Sequence, residues 1–318
     1  MKRILVLALL FGLMGGAPLN RTSATTAPGQ FAGDPLELLP DGMGVAVINV
    51  KQMVASDVWA LVMGSNKATH ALQKAESELS SVGLKVSDLA GVAVSIPAAP
   101  STSAVVVASG SFNPSDILAK LRDNSNVKLT SEKYKGLDVY RAVYTAATNH
   151  SDVSFAFYDS GTAVVGPAPG VHSAIDVHIG DKPSMAKNAA LDQVMAQNAS
   201  AAIRFALVPP NGSLSSIQSD NKIPLPDFSS VNLIFGTVAV TSSVDINATL
   251  RSDTADHAKA ISSQLNSLLS MAKGFLSSSN PKNAPIADAL KTVTINDNGG
   301  DVTISASLSK DVISQLIH

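Results

Sequence analysis

The densest cluster of groups that could hold a metal is His172-x3-Asp176-x-His178. Imidazole and carboxylate are ordinary zinc ligands, and close spacing is how a chain gathers them. On a helix, His172 and Asp176 fall on one face and His178 points elsewhere; on a strand, Asp176 and His178 share a face. Neither geometry gathers all three. The segment therefore reads as a solvated helix face, and no metal site is assigned. His70, His150 and His257 stand alone in the sequence. A Ser/His/Asp arrangement is defined by geometry, so a dispersed one stays open. No Gly-x-Ser-x-Gly elbow is present to anchor it. Asp253 and Asp256 beside His257 fit the first turn of a long helix, where acids cap and favour the dipole. Phosphate-loop, dinucleotide and His-Glu-x-x-His patterns are absent. Catalytic residues are thus unknown, and no cofactor-binding or metal-binding residue, and no cofactor, is expected.

These groups sit in a chain of 318 residues that is 45% hydrophobic and 15% charged. A typical soluble domain is about 25% charged, so neutral hydroxyls and amides must solvate much of this surface. Aromatics are 4%, with one tryptophan, Trp59, which leaves few rings for stacking on bases or sugars. There is no cysteine. Disulfides, thiol catalysis, cysteine-ligated zinc and a lipid-modified cysteine are excluded.

Residues 1–24 read as a secretory signal peptide. Lys2 and Arg3 precede the apolar run Ile4 to Leu13, and Thr22-Ser23-Ala24 is the cleavage site of choice. A retained N-terminal anchor is the alternative, but the apolar run is short for a bilayer. Cleavage removes Lys2, Arg3 and Arg21 and no acid, which takes the net charge from −2 to −5. A net acidic chain argues against nucleic acid and anionic membrane surfaces as partners. The longest later apolar stretch, Gly91 to Ser109, is broken by Pro97 and Pro100. No stable membrane span is expected after signal removal. The expected location is extracytoplasmic, periplasmic or secreted.

Residues 25–34, rich in Ala, Pro, Gly and Thr, read as a flexible tether. Leu38-Leu39-Pro40-Asp41-Gly42 is a turn running into the strand Val45–Val50, whose Val45 and Val47 or their alternates should face a helix layer. Lys51 to Val62 reads as a short amphipathic helix. Ala68, Leu72, Ala75, Leu79 and Val82 form one helical face, with Gly83 as a left-handed cap closed by Leu84. Strands follow at Gly91–Ile96 and Ser103–Gly110. Asn113-Pro114-Ser115-Asp116 starts a helix. Hairpins are expected over Val127–Ala142, turning at Lys135-Gly136, and over Val153–Val165, turning at Asp159-Ser160-Gly161. Helices follow from Pro169 to Ile179 and within Ser184–Gln197.

From Ala202 the pattern begins again: a strand to Leu207, strands at Val231–Thr241 and Val244–Arg251, and a helix over Asp253–Leu276. That helix carries the stripe Ala258, Ile261, Leu265, Leu268, Ala272, Phe275. The hairpin Val293–Leu308 turns at Asp297-Asn298-Gly299-Gly300, and Lys310–His318 forms a last helix. The fold class is α+β, a mostly antiparallel sheet with helices packed on one face. Residues 35–197 and 198–318 read as two α+β repeats; a single continuous sheet domain is the alternative.

Tyr134-Lys135-Gly136-Leu137-Asp138-Val139-Tyr140, the Leu39-Pro40-Asp41 turn before an apolar strand, and Ala163-Val164-Val165-Gly166 ahead of Ala174-Ile175-Asp176 carry a resemblance. Together they resemble a family of secreted or membrane-tethered bacterial proteins of unknown function. The resemblance implies the extracytoplasmic layout of residues 35–210 and brings no catalytic residue with it. Asn149, Asn198, Asn211 and Asn247 each begin an Asn-x-Ser/Thr triplet, read here as chance in a Ser- and Asn-rich chain. Two functions are expected to compete. One is a non-enzymatic envelope protein that binds a partner protein or an apolar ligand. The other is a secreted hydrolase with a dispersed Ser/His/Asp site.

Overall fold

The computed structural model describes residues 31, 33–65, 76, 77, 79–97, 104–145, 151–197, 199–210, 226–277 and 284–317. The signal segment, most of the tether, His70, His150 and the triplets at Asn149, Asn198 and Asn211 lie outside these residues. The chain separates into two compact units. Among the described residues, the first runs to Val54 and resumes through Ala196, and the second takes residues 55–65 and the chain from Gln197 onward. The α+β class is observed, with the described strands of each unit paired antiparallel.

The first unit opens with a 3₁₀ turn, Pro35–Leu38, capped by Asp34, whose carboxylate accepts from the Leu36 N–H at 3.0 Å. Strand β1 (Gly44–Asn49) follows, and all six of its residues are buried. Alternation was the expectation; both of its faces are covered instead. α1 (Val50–Val54) comes next, and then Ser56 interrupts the expected single helix. The Ser56 hydroxyl accepts from the Trp59 N–H at 3.1 Å and starts a separate helix, α2 (Asp57–Met63), in the second unit. The cap at Gly83 forms as its sequence dictates. Gly83 has φ +79°, and the Leu84 N–H reaches back to the Leu79 carbonyl at 2.9 Å. Val82 and Leu84 then pack against the apolar core.

The remaining strands are β2 (Leu89–Ile96), β3 (Val105–Gly110), β4 (Val127–Tyr134), β5 (Leu137–Tyr144), β6 (Ser151–Phe157) and β7 (Thr162–Gly166). The helices are α3 (Pro114–Asp123), α4 (Ala168–His178) and α5 (Ala189–Ala196). The sheet order is β1-β2-β3-β7-β6-β5-β4, so the chain leaves β3 through α3, builds the far edge and works back. Asn113 caps α3 as expected, accepting from the Asp116 N–H at 3.3 Å. The β4–β5 turn is two residues long. Lys135 (φ +48°) and Gly136 (φ +90°) both have positive φ, the requirement of a type I′ hairpin turn.

Helices do not keep to one face of this sheet, which corrects that part of the expectation. Ile117, Leu118 and Leu121 of α3 pack with Ala142, Phe155 and Ala163. The neighbouring residues Val139, Ala156 and Val164 are also buried, and they project from the opposite face, where α4 lies against β6 and β7. The reason is in the strands. β5, β6 and β7 carry apolar residues at both parities, so each face needs a helix to cover it.

The second unit contains β8 (Ile203–Leu207), β9 (Val231–Val240), β10 (Ser243–Ser252), α6 (Ala255–Ser277), α7 (Ala284–Lys291), β11 (Thr294–Asn298), β12 (Asp301–Ser309) and α8 (Lys310–Ile317). α7 had no counterpart in the expectations. Its sheet order is β8-β9-β10-β12-β11. Ala258 and Ile261 of α6 seal a core with Val231 and Val302, and Leu265 packs against it. Beyond that point the stripe runs out into solvent, and Phe275 is 72% exposed. The opposite sheet face is polar, in cross-strand rows Asp245–Ser307, Asn247–Ser305, Thr249–Thr303 and Arg251–Asp301. Gly236 sits under this pairing. A Cβ there would lie 2.1 Å from the Asn247 carbonyl oxygen and 2.7 Å from the Phe205 ring. Gly236→Ala is therefore expected to cost about 1–2 kcal/mol, read as a lower urea midpoint at unchanged m-value.

The two sheets share a connectivity. Each is a three-strand meander (β1-β2-β3; β8-β9-β10), then helix, then a hairpin whose second strand returns to the third meander strand. A helix follows in both cases, α4 or α8. Among the described strands, the first unit adds to this plan the edge hairpin β4–β5.

Candidate functional site

The polar residues that tertiary structure concentrates most strongly lie around α4 and this added hairpin. α4 starts at Ala168, with Pro169 in its first turn as the sequence led one to expect. Val171, Ala174 and Ile175 are fully buried and anchor it to the sheet. With that face fixed, His172 and Asp176, one turn apart, both meet the β4–β5 hairpin. The His172 ring stacks on Tyr134 with centroids 4.0 Å apart and planes 5° apart, and its Nε2 lies 3.0 Å from Glu132 Oε1. His178 points away and stacks on Tyr158 at 3.9 Å.

Asp176 is 5% exposed and is the hub of the hairpin contact. Its carboxylate accepts from the Tyr134 hydroxyl at 2.9 Å, and lies 2.7 Å from Lys135 Nζ and 2.8 Å from Lys182 Nζ. Lys135 also pairs with Asp181. The Asp181 and Lys182 N–H groups close onto the Asp176 carbonyl at 2.8 and 3.2 Å. Burial works to raise the Asp176 carboxyl, but the hydrogen bonds from Lys135, Lys182 and Tyr134 outweigh it and hold it well below the usual carboxylate range. The same bonds push Lys135 and Tyr134 up, with the Asp176 hydrogen bond the largest cause for each. This arrangement locks a hairpin to a helix. It occupies both Asp176 oxygens with cationic or hydroxyl donors, and among the described residues no group of three or more His, Asp or Glu is placed to hold a metal.

Beside this lock, at the first turn of α4, opens a cleft of about 600 Å³. Its floor is a grid on one sheet face. Thr130 pairs across to Arg141, and Arg141 to Ser154, in one row; Glu132 pairs with Val139 in the next. Asp152 stands one row the other way and is bound by Arg141, whose Nε lies 2.8 Å from both carboxylate oxygens and whose Nη2 bonds Oδ2. The Arg141 hydrogen bond holds the Asp152 carboxyl below its ordinary range. Pro167, Ala168 and Pro169 form an apolar rim. Ser154, 2% exposed, also lines the cleft.

The comparisons with known proteins speak to fold. No protein-family model and no curated protein matches the chain. Among solved structures, "crystal form III of TP0453" covers 90% of this chain and 97% of its own, at 9% identity and a TM-score of 0.50. Crystal forms I and IV of TP0453 give TM-scores of 0.49 and 0.48. The likeness is one of overall α+β fold.

The other sequence candidates are placed as follows. His257 Nδ1 lies 2.7 Å from Asp253 Oδ1 at the exposed start of α6, and the His257 N–H is bonded by Thr254 Oγ1 at 3.2 Å. Among the described residues no serine hydroxyl is hydrogen-bonded to the His257 or His172 ring. The Asp253 hydrogen bond raises His257 above the ordinary histidine value. An NMR titration should therefore show His257 titrating above that value and Asp253→Asn returning it there. Asp297-Asn298-Gly299-Gly300-Asp301 is a hairpin turn, with Gly299 at φ +59° and Asp301 bound to Arg251 at 2.8 Å. Asn247 is buried within β10, which removes its triplet as a modification site. Two groups were invisible in the sequence. The Tyr158 hydroxyl is buried without a partner, and burial pushes its pKa up. The cleft grid was missed because Thr130, Glu132, Arg141, Asp152 and Ser154 come from three strands; their common parity in paired strands was the available signal. No helix among the described residues is long and apolar enough to cross a membrane.

Proposed function

We propose that this chain is an extracytoplasmic, non-enzymatic binding protein of the bacterial envelope, and that the cleft at the start of α4 is its binding site. The observation that carries the reading is the β4–β5 hairpin. It is the pair of strands the first unit has beyond the strand connectivity common to both, and it supplies Thr130, Glu132, Val139 and Arg141 of the cleft. An addition that is both locked in place by Asp176 and lines a concave polar surface fits a site built for recognition. The lining is polar and apolar in equal measure, so the reading extends the expected apolar ligand to one that also carries polar groups. The export-type pattern of residues 1–24 and the low charged fraction support the location. Membership in the secreted bacterial family belongs to the same reading, since its Tyr134–Tyr140 motif is the tip of this hairpin.

Two measurements test it. Fractionation with mass determination should find the chain outside the cytoplasm, beginning at Thr25; full-length chain in the cytoplasm would sink the location. Hydrogen exchange on the mature chain should show added protection at residues 130–141 and 152–154 with soluble peptidoglycan fragments. Unchanged exchange there, with those fragments and with a mixed-sequence peptide pool alike, would sink the binding site.

The shared connectivity also supports reading the two units as copies of one ancestral unit. An experimental structure in which β8–β10, α6 and β11–β12 fail to superimpose on β1–β3, α3 and β6–β7 would remove that reading.

A further inference from the structure

We propose that the cleft takes a polyhydroxylated, non-anionic ligand of the oligosaccharide class; this rests on the cleft being the binding site. The floor offers the groups that recognise vicinal hydroxyls. Arg141 uses Nε and Nη2 on Asp152 and keeps its Nη1 donors unpartnered among the described residues. Glu132 uses Oε1 on His172 and keeps its second oxygen. Thr130 and Ser154 flank Arg141 in the same cross-strand row and add hydroxyls that both donate and accept. Ser154 is nine-tenths buried, and it lines the cleft.

Three features set the class. First, the lining carries Glu132 and Asp152 against the single Arg141, a formal charge of −1 that disfavours anions. The start of α4 does not reverse this. Pro167 and Pro169 have no N–H, and the Gly170 and Val171 N–H groups are bonded to the Pro167 carbonyl at 2.9 and 3.1 Å. The helix terminus that often holds phosphate is thus reduced to one N–H, that of Ala168. Second, β5 is paired on both sides, by β4 and β6, and a peptide strand could join only at the outer edge of β4, where it would extend the sheet sideways and leave the face of the floor uncovered. Third, the Pro167–Pro169 rim gives apolar contact for the CH faces of a ring, and about 600 Å³ is within the usual range for small-molecule sites.

The test is calorimetric titration of the mature full chain with chitotriose, maltotriose, tri-galacturonate and hexa-alanine. At least one of the two neutral trisaccharides should bind, at least tenfold tighter than tri-galacturonate. Ser154→Ala, which removes the hydroxyl and adds no bulk, should weaken that binding about fivefold while leaving the unfolding midpoint within a degree or two. Glu132→Gln should weaken it too, which separates a ligand contact from general packing. Equal or tighter binding of tri-galacturonate overturns the proposal, as does binding that Ser154→Ala leaves unchanged. Binding of hexa-alanine alone overturns the sugar class and leaves the binding site standing. No binding by any probe overturns the sugar class, and the hydrogen-exchange experiment then decides the fate of the site itself.

Discussion

Val47→Asp should unfold the first unit or leave it barely folded at 25 °C. Val47 is 6% exposed in the middle of β1, paired with Ala93 of β2, and every other residue of the strand is buried as well. A carboxylate there has no cation within the strand or its partner, since β2 reads Leu-Ala-Gly-Val-Ala-Val-Ser-Ile. The group must either stay charged in an apolar setting or protonate at neutral pH. Either course costs about 4 kcal/mol or more, a large part of the total stability of a domain. Urea unfolding should show the midpoint collapsing, and expression should shift to the insoluble fraction. An unchanged midpoint would mean that β1 is not the centre of the core. Asp41→Asn, six residues earlier, is the contrast. Asp41 is exposed, and its Oδ1 accepts only from the adjacent Gly42 N–H at 2.9 Å, a bond an asparagine oxygen can keep. Its effect should stay within about 0.5 kcal/mol.

Asp176→Ala comes second in expected size. It removes the acceptor for Tyr134, Lys135 and Lys182 at once. Breaking a buried pair costs about 3–5 kcal/mol. The two lysines here are partly exposed and can turn to water, so about 2–3 kcal/mol is expected after that discount. The pH dependence gives the claim a second, independent readout. The folded-state carboxyl of Asp176 is depressed, while in the unfolded chain it titrates near the ordinary value of about 3.9. Between those values the unfolded state binds the extra proton, so stability rises with pH there. The contribution is complete above about pH 5 and is lost as pH falls through 4 and below. Asp176→Asn should flatten this acid limb and lower the plateau above it. A variant with the parent's acid limb intact would show that the lock is not what holds the hairpin.

The same lock shows which parts of the site were legible. The helical spacing of His172 and Asp176 placed both on one face and His178 off it, and the structure agrees. The turn at Lys135-Gly136 was readable too, because few residues besides glycine tolerate the positive φ it needs. What the spacing could not reveal is that this face meets Glu132, Tyr134 and Lys135. Those residues precede the helix by some forty positions, and their approach is set by which strand β7 pairs with when the chain returns to β3. The metal reading and the lock reading use the same two side chains; only the partner decides between them, and the partner is a lysine pair.

Local signals determined the elements: caps at Asn113 and Gly83, alternation in β10 and β12, the three-four stripe on α6, and the two-residue turns. They succeed because capping, turn geometry and periodicity are interactions between residues a few positions apart. They also determined the absences that composition imposes, above all of any thiol chemistry. Tertiary structure alone decided that helices cover both faces of the first sheet, that Ser56 divides one expected helix between two units, and that three strands present Thr130, Arg141 and Ser154 in one row. Those outcomes depend on pairing order and register, which are contacts between distant residues. A single sequence records the side chains that such contacts will use, but not which of them will meet.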